Sequence, residues 1–399
     1  MDISEAQRAA KSSRALTTAA HASFVPIGIV TVLLGPLLPA LSSRWSLNYA
    51  QAGTLFTAQY LTSTLGVAAS GFLVSRWGFR FAINAGLFAM ALGVGVLPFA
   101  SHILGVACIA CYGVGMGLSV PAANLLVAEV NPLRRSAALN LLNFSWSVGA
   151  VACPFLVAAA SQRHRTPLLL EGVAIFMLVI IAGIALMPAS IIEPAAESGS
   201  DQTAGWAMRS NQSALLLLAA LFFLYVGTEN AFGGWTASYA KSLPGIPAAW
   251  SVMTPSFFYF ALLFGRWAAP FVLRYMNDVS VARWGLLLAC VGMMGLILSR
   301  RMVGLASSTA LAGLGLAAVY PITISLLSRE FGSAATRVGS VMFTMANLGG
   351  ASIPWLVGFA SSRFSDLRVG LAVPLAAAVV MYGLYWSRWR SVAARESTG

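Results

Sequence analysis

The chain has 399 residues, of which 58% are apolar and only 9% charged. A soluble domain carries charge on about a quarter of its residues and a disordered chain is more polar still, so both classes are excluded. The formal charge of +12 does not argue for nucleic acid, because the basic residues sit in short gaps between long apolar runs rather than on one solvated face.

About 20 apolar residues in a helix, at ~1.5 Å per residue, cross the ~30 Å hydrocarbon layer of a bilayer. Twelve runs meet that length. In chain order they are 16–41, 49–74, 81–100, 103–130, 136–160 and 167–188, then 213–240, 250–273, 281–299, 302–328, 337–361 and 369–388. Arg8, Lys11 and Arg14 precede the first run, which is too long for a signal-peptide core and is read as a retained helix. Between the sixth and seventh runs lies a polar stretch, 189–212, with Glu193, Pro194, Glu197, Gly199 and Asp201. The expected organisation is a six-helix bundle over 1–188, a cytoplasmic linker over 189–212 and a second six-helix bundle over 213–399. With both termini inside, fifteen of the 24 Lys and Arg residues fall in inner segments and eight in outer ones, which favours cytoplasmic termini in the plasma (inner) membrane.

The two halves repeat. Gly149-Ala150-Val151-Ala152-Cys153-Pro154 matches Gly349-Gly350-Ala351-Ser352-Ile353-Pro354 at an offset of 200. Gly113, Gly115 and Pro121 match Gly313, Gly315 and Pro321 at the same offset, and Gly28, Gly35 and Gly66 match Gly227, Gly234 and Gly265 at 199. A nearly constant offset over four helix pairs indicates an internal duplication. Parallel repeats of this kind place a substrate cavity between the halves near the bilayer midplane.

A charged side chain at the centre of a membrane helix costs about 2.5–3.5 kcal/mol on insertion scales, so each one needs a reason. Glu229 lies about 22 Å along the seventh span from its inner end, followed by Asn230 and by Gly233-Gly234-Trp235. It is the candidate for ion coupling, with His21 early in the first span as a second. Arg266, on the eighth span, lies about 12 Å from the inner end. That depth does not require a direct pair with Glu229, and Arg266 is assigned to gating. Glu129, near Arg134 and Arg135, reads as an interfacial ion pair in the same conformational class. Amides and aromatic rings together suit a sugar, whose hydroxyls both donate and accept while its C–H face stacks. The candidate substrate-binding set is Gln59, Asn124, Asn143, Trp146, Asn230, Trp235, Tyr320, Asn347 and Trp355. The four cysteines lie inside apolar runs and read as packing residues.

With these features in place the chain resembles the major facilitator superfamily. The segment Gly71-Phe72-Leu73-Val74-Ser75-Arg76-Trp77-Gly78-Phe79-Arg80 is similar to that family's loop between its second and third helices, with Ser75 where the family has aspartate. The resemblance implies a gating role for Arg76 and Arg80. Tyr225-Val226-Gly227, Ala122-Ala123-Asn124 and Leu37-Leu38-Pro39 resemble the fucose/proton symporter and sodium–glucose transporter-like group. Gly35 and Val120 stand where fucose permeases carry carboxylates, so the fucose mechanism does not transfer unchanged.

The expected protein is thus an all-α integral membrane transporter of twelve helices in two pseudo-symmetric bundles, and not an enzyme. It needs no cofactor or metal. Its partners are a small polar solute, expected to be a monosaccharide, H⁺ or Na⁺ as coupling ion, and the lipid bilayer, with no nucleic acid, and it is expected to be a monomer. An exporter of drugs or hydrophobic metabolites with the same fold is the alternative.

Overall fold

A computed structural model describes residues 3–131, 135–187 and 211–396, and their regular structure is helical. The helices are α1 (Ile3–Arg44), α2 (Tyr49–Val96), α3 (His102–Val130), α4 (Arg135–Gln162), α5 (Thr166–Ala185) and α6 (Gln212–Ser242). They continue as α7 (Ala248–Val272), α8 (Asp278–Leu298), α9 (Met302–Leu316), α10 (Val319–Phe331), α11 (Ala335–Phe364) and α12 (Leu367–Glu396). Among the described helix starts, four are capped by side chains: Asn48 Oδ1 accepts from the Gln51 N–H, Ser101 Oγ from the Leu104 N–H, Asn277 Oδ1 from the Ser280 N–H and Asp366 Oδ1 from the Arg368 N–H. The linker expected over 189–212 lies outside the described residues except for its last two positions.

Eleven continuous helical stretches among the described residues are long and apolar enough to cross a membrane, where the sequence predicts twelve spans. The difference lies in α2. Its 48 residues would form a rod of about 72 Å if straight, more than twice the hydrocarbon thickness. The chain breaks at Gly78, with φ 83° and ψ 170°, a conformation that an L residue with a Cβ resists. The expected spans 49–74 and 81–100 are its two arms. The expected tenth span departs the other way and divides into α9 and α10. Pro321 has no N–H to give the Ala317 carbonyl, and its ring crowds that oxygen, so the helix parts at Ala317 and Ala318. Its repeat partner Pro121 sits inside an unbroken α3, a difference that the contacts do not explain.

Cα proximity gathers the chain into two units: Met1–Leu34 with Ala58–Ser198, and Gly35–Thr57 with Gly199–Gly399. The last turns of α1 and the first turns of α2 therefore belong to the second unit. Within that unit the Ala50 N–H donates to Ser362 Oγ, Thr57 Oγ1 donates to the Ala351 carbonyl, and Lys241 Nζ donates to the Pro39 carbonyl.

Lipid tails are as apolar as leucine, so burial does not hold membrane helices together; close van der Waals approach does. The glycines supply it, and they do so twice. In unit 1 the Gln59 carbonyl lies where a Cβ on Gly113 would sit; in unit 2 the Phe258 carbonyl occupies that place at Gly313. The Gly86 carbonyl meets Gly115, and the Gly285 carbonyl meets Gly315. The Val25 carbonyl meets Gly149, and the Phe223 carbonyl meets Gly349. Contacting partners keep nearly the offset of the glycines themselves. The duplication read from the sequence is thus a duplication of helix crossings.

Candidate functional site

In unit 2, α6 carries the acid. Glu229 is buried at 8% relative exposure, so its carboxyl is turned into protein and not to acyl chains. Arg266 on α7 approaches it, with Nη2 3.7 Å from Glu229 Oε2, and the same nitrogen donates to the Tyr225 hydroxyl at 3.4 Å. The sequence arithmetic separates the two charges in depth by about 10 Å along ideal helices. The structure brings them together because an arginine side chain reaches far from its own Cα. Tyr225 stacks on Tyr320 of α10, with ring centroids 5.3 Å apart, and Phe222 meets the Tyr320 ring edge-on at 5.7 Å. A carboxylate, a guanidinium and two phenols therefore share one buried cluster. Such a cluster can hold one cation at a time near the carboxylate: the guanidinium now, or a proton or metal cation in its stead.

Nearby in the same unit, Asn230 donates to the Val226 carbonyl of its own helix. Trp235 is buried, donates Nε1 to the Pro354 carbonyl at 2.9 Å, and packs against Tyr49 and Phe56. Trp355 stacks on Phe359 at 5.3 Å, and the backbone of Trp355 faces Gly53. Asn347 is half-buried on α11.

Unit 1 holds a second polar cluster. Gln59 of α2 is fully buried; its Nε2 donates to the Thr31 carbonyl at 3.0 Å, and its Oε1 accepts from the Tyr112 hydroxyl at 3.3 Å. Trp146 of α4 donates Nε1 to Thr31 Oγ1 at 3.3 Å. Thr31 of α1 thus joins Gln59 to Trp146. Next to Trp146 in the chain, Ser145 Oγ lies 2.8 Å from His21 Nδ1, and the His21 Nε2 is buried with no hydrogen-bond partner among the described residues. Asn124 and Asn143 donate to carbonyls in their own helices, Val120 and Leu139, and Asn143 is exposed.

The gating candidates do not come together. Arg76 is exposed, Arg80 donates Nη1 to the Met187 carbonyl at 3.4 Å, and Ser75 returns its hydroxyl to the Phe72 carbonyl. Glu129 is half-buried near the end of α3; Arg134 and the Arg135 side chain, its expected partners, lie outside the described residues. Among the described residues no three His, Cys, Asp or Glu converge as metal ligands.

Sequence reasoning passed over Tyr225, Thr31 and Tyr112 as site residues. Tyr225 was legible, since it precedes Glu229 by four positions and so shares its helix face. Thr31 and Tyr112 carry no such signal, because each acts across a helix interface.

A family model described as Major Facilitator Superfamily matches residues 21–354. The chain is similar to a mouse sodium-dependent glucose transporter 1A, 21% identical over 397 residues, covering 90% of this chain and 92% of that one. It is also similar to a glucose/galactose transporter of Brucella abortus, 24% identical over 388 residues, covering 90% and 91%. Its fold matches a crystal structure of the E. coli fucose:proton symporter with a TM-score of 0.65 at 18% identity, covering 93% of this chain and 98% of that one.

Proposed function

The chain belongs to the major facilitator superfamily, and from that premise we propose that it is a secondary active transporter of a monosaccharide, coupled to H⁺ or Na⁺. The observation that carries the reading is the buried Glu229–Arg266 pair in a chain whose relatives, aligned over nine-tenths of its length, are named for glucose and galactose. The moving halves are taken as residues 1–188 and 213–399, joined by the cytoplasmic linker 189–212, in a monomer of the inner membrane with both termini cytoplasmic. Rocking of one half on the other alternately opens the sugar path to each side.

In the proposed cycle Glu229 is the ion seat. Arg266 and an incoming cation compete for the same carboxylate, so arrival of the ion frees the guanidinium. Arg266 and Tyr225 then stand ready to bond sugar hydroxyls, and loss of the ion restores the pair. Gln59, Trp146, Asn230, Tyr320, Asn347 and Trp355 supply amide and ring contacts to the sugar, with Asn124, Asn143 and Trp235 in the same role. His21, through its open Nε2, is a second proton-bearing group. Arg76, Arg80 and Glu129 act at the inner face as the gate changes.

Proteoliposomes with imposed H⁺ or Na⁺ gradients test the reading. Glucose or galactose should accumulate against its gradient with one of the two ions, and Glu229→Gln should abolish accumulation while the protein stays folded. Transport of lipophilic cations with no hexose exchange would replace the sugar assignment with the exporter. Full concentrative uptake by Glu229→Gln would remove Glu229 from coupling.

A further inference from the structure

A groove of about 260 Å³ lies in unit 2, away from Glu229, lined by Ser280, Arg283, Trp284 and Leu287 of α8 and by Tyr382 and Trp386 of α12. The Arg283 guanidinium sits 3.8 Å from the centroid of the Trp386 ring and 6.0 Å from that of Tyr382. No carboxylate pairs with Arg283 among the described residues. Trp284 is 64% exposed and Trp386 42% exposed. The groove is smaller than the ~300–1,000 Å³ pockets that enclose drug-sized ligands, and its rim is tryptophan and tyrosine, residues that favour the membrane–water interface.

We propose that this groove binds the head group of an anionic phospholipid. Stacking on Trp386 fixes the guanidinium plane and leaves its N–H edge free for bidentate bonding to a phosphate. The Ser280 hydroxyl adds a donor, while exposed Trp284 and Leu287 offer apolar surface to the acyl chains. Charge decides the lipid class. An aromatic box can also take choline by cation–π attraction, but here the Trp386 face is already occupied by a cation. A zwitterionic head group would set its ammonium against Arg283; phosphatidylglycerol brings no such charge.

The test uses the purified full chain in mixed micelles of phosphatidylglycerol and phosphatidylcholine, with retained lipid measured by mass spectrometry. One interfacial arginine should enrich the anionic lipid about five-fold. Arg283→Gln should lower the ratio about five-fold, Trp386→Leu should lower it less, and Arg283→Lys, which keeps charge but loses the planar fork, should fall between. Arg301→Gln, which removes an exposed charge elsewhere, should leave it unchanged. Equal retention of both lipids by the wild type, or undiminished enrichment in a folded, monodisperse Arg283→Gln protein, would overturn the proposal. Displacement of the lipid by an equal concentration of glycerol 3-phosphate would overturn it in favour of a soluble phosphate. The readout does not involve transport, so it stands or falls apart from the sugar assignment.

Discussion

Removing one partner of a buried ion pair strands the other charge, and this is where Glu229 and Arg266 can be weighed. Loss of one partner of a fully buried pair costs about 3–5 kcal/mol. Here the Arg266 side chain keeps 19% exposure, the separation is a long 3.7 Å, and the Tyr225 hydroxyl still accepts from Nη2, so Glu229→Leu belongs near the lower bound. Removing both charges strands neither, and apolar replacement of a buried pair is often neutral. The double variant Glu229→Leu/Arg266→Leu should therefore be more stable than either single one, with an interaction energy of at least about 3 kcal/mol. Chemical unfolding of the four purified proteins in one detergent closes the cycle. Strictly additive single effects would refute the pair as an energetic unit. Uptake separates structure from function: the double variant should be folded and unable to concentrate sugar. If it concentrates sugar normally, the pair is structural.

Three other perturbations follow from the geometry. Gln59→Leu orphans the Tyr112 hydroxyl and should cost about 1–3 kcal/mol of unfolding free energy; a wild-type unfolding curve would contradict the bond. Gly113→Ala and Gly313→Ala each drive a Cβ into a facing carbonyl, and each should cost about 1–3 kcal/mol. If only one of the two lowers the melting temperature, the crossings are not equivalent. Asp278→Asn, by contrast, removes an ion pair with an Arg329 that is 66% exposed, and should cost no more than about 1 kcal/mol, shrinking further in high salt. A larger loss would mean that this pair does more than decorate the surface.

Much of the architecture was legible because a bilayer admits few solutions for a backbone. Apolar runs of fixed length had to be helices, and the glycine and proline offsets exposed the duplication before any contact was seen. What the sequence hid depends on single residues acting locally. Gly78 looked like part of a loop motif, whereas it is the bend within one long helical segment. Pro321 and Pro121 look alike in sequence, yet only the former interrupts its helix. The site was half legible. Glu229 and Arg266 stood out by their insertion cost, but counting residues along ideal helices could not foresee that a long side chain closes the gap. The link from Gln59 through Thr31 to Trp146 spans three helices, and no spacing within one helix announces it.

The glycine seams are shared by both units, but the charges are not. At the offset that carries Gly28 to Gly227 and Gly66 to Gly265, the counterparts of Glu229 and Arg266 are Val30 and Val67. A doubled scaffold thus holds this acid–base seat in one of its two copies. Under the proposed role Glu229 carries one cation per turnover, and unless His21 carries a proton as well, the attainable sugar ratio is capped at what the electrochemical gradient of one ion can sustain. Flux-reversal measurements that returned two ions per sugar would place the second on His21, and a His21→Ala variant should then return one.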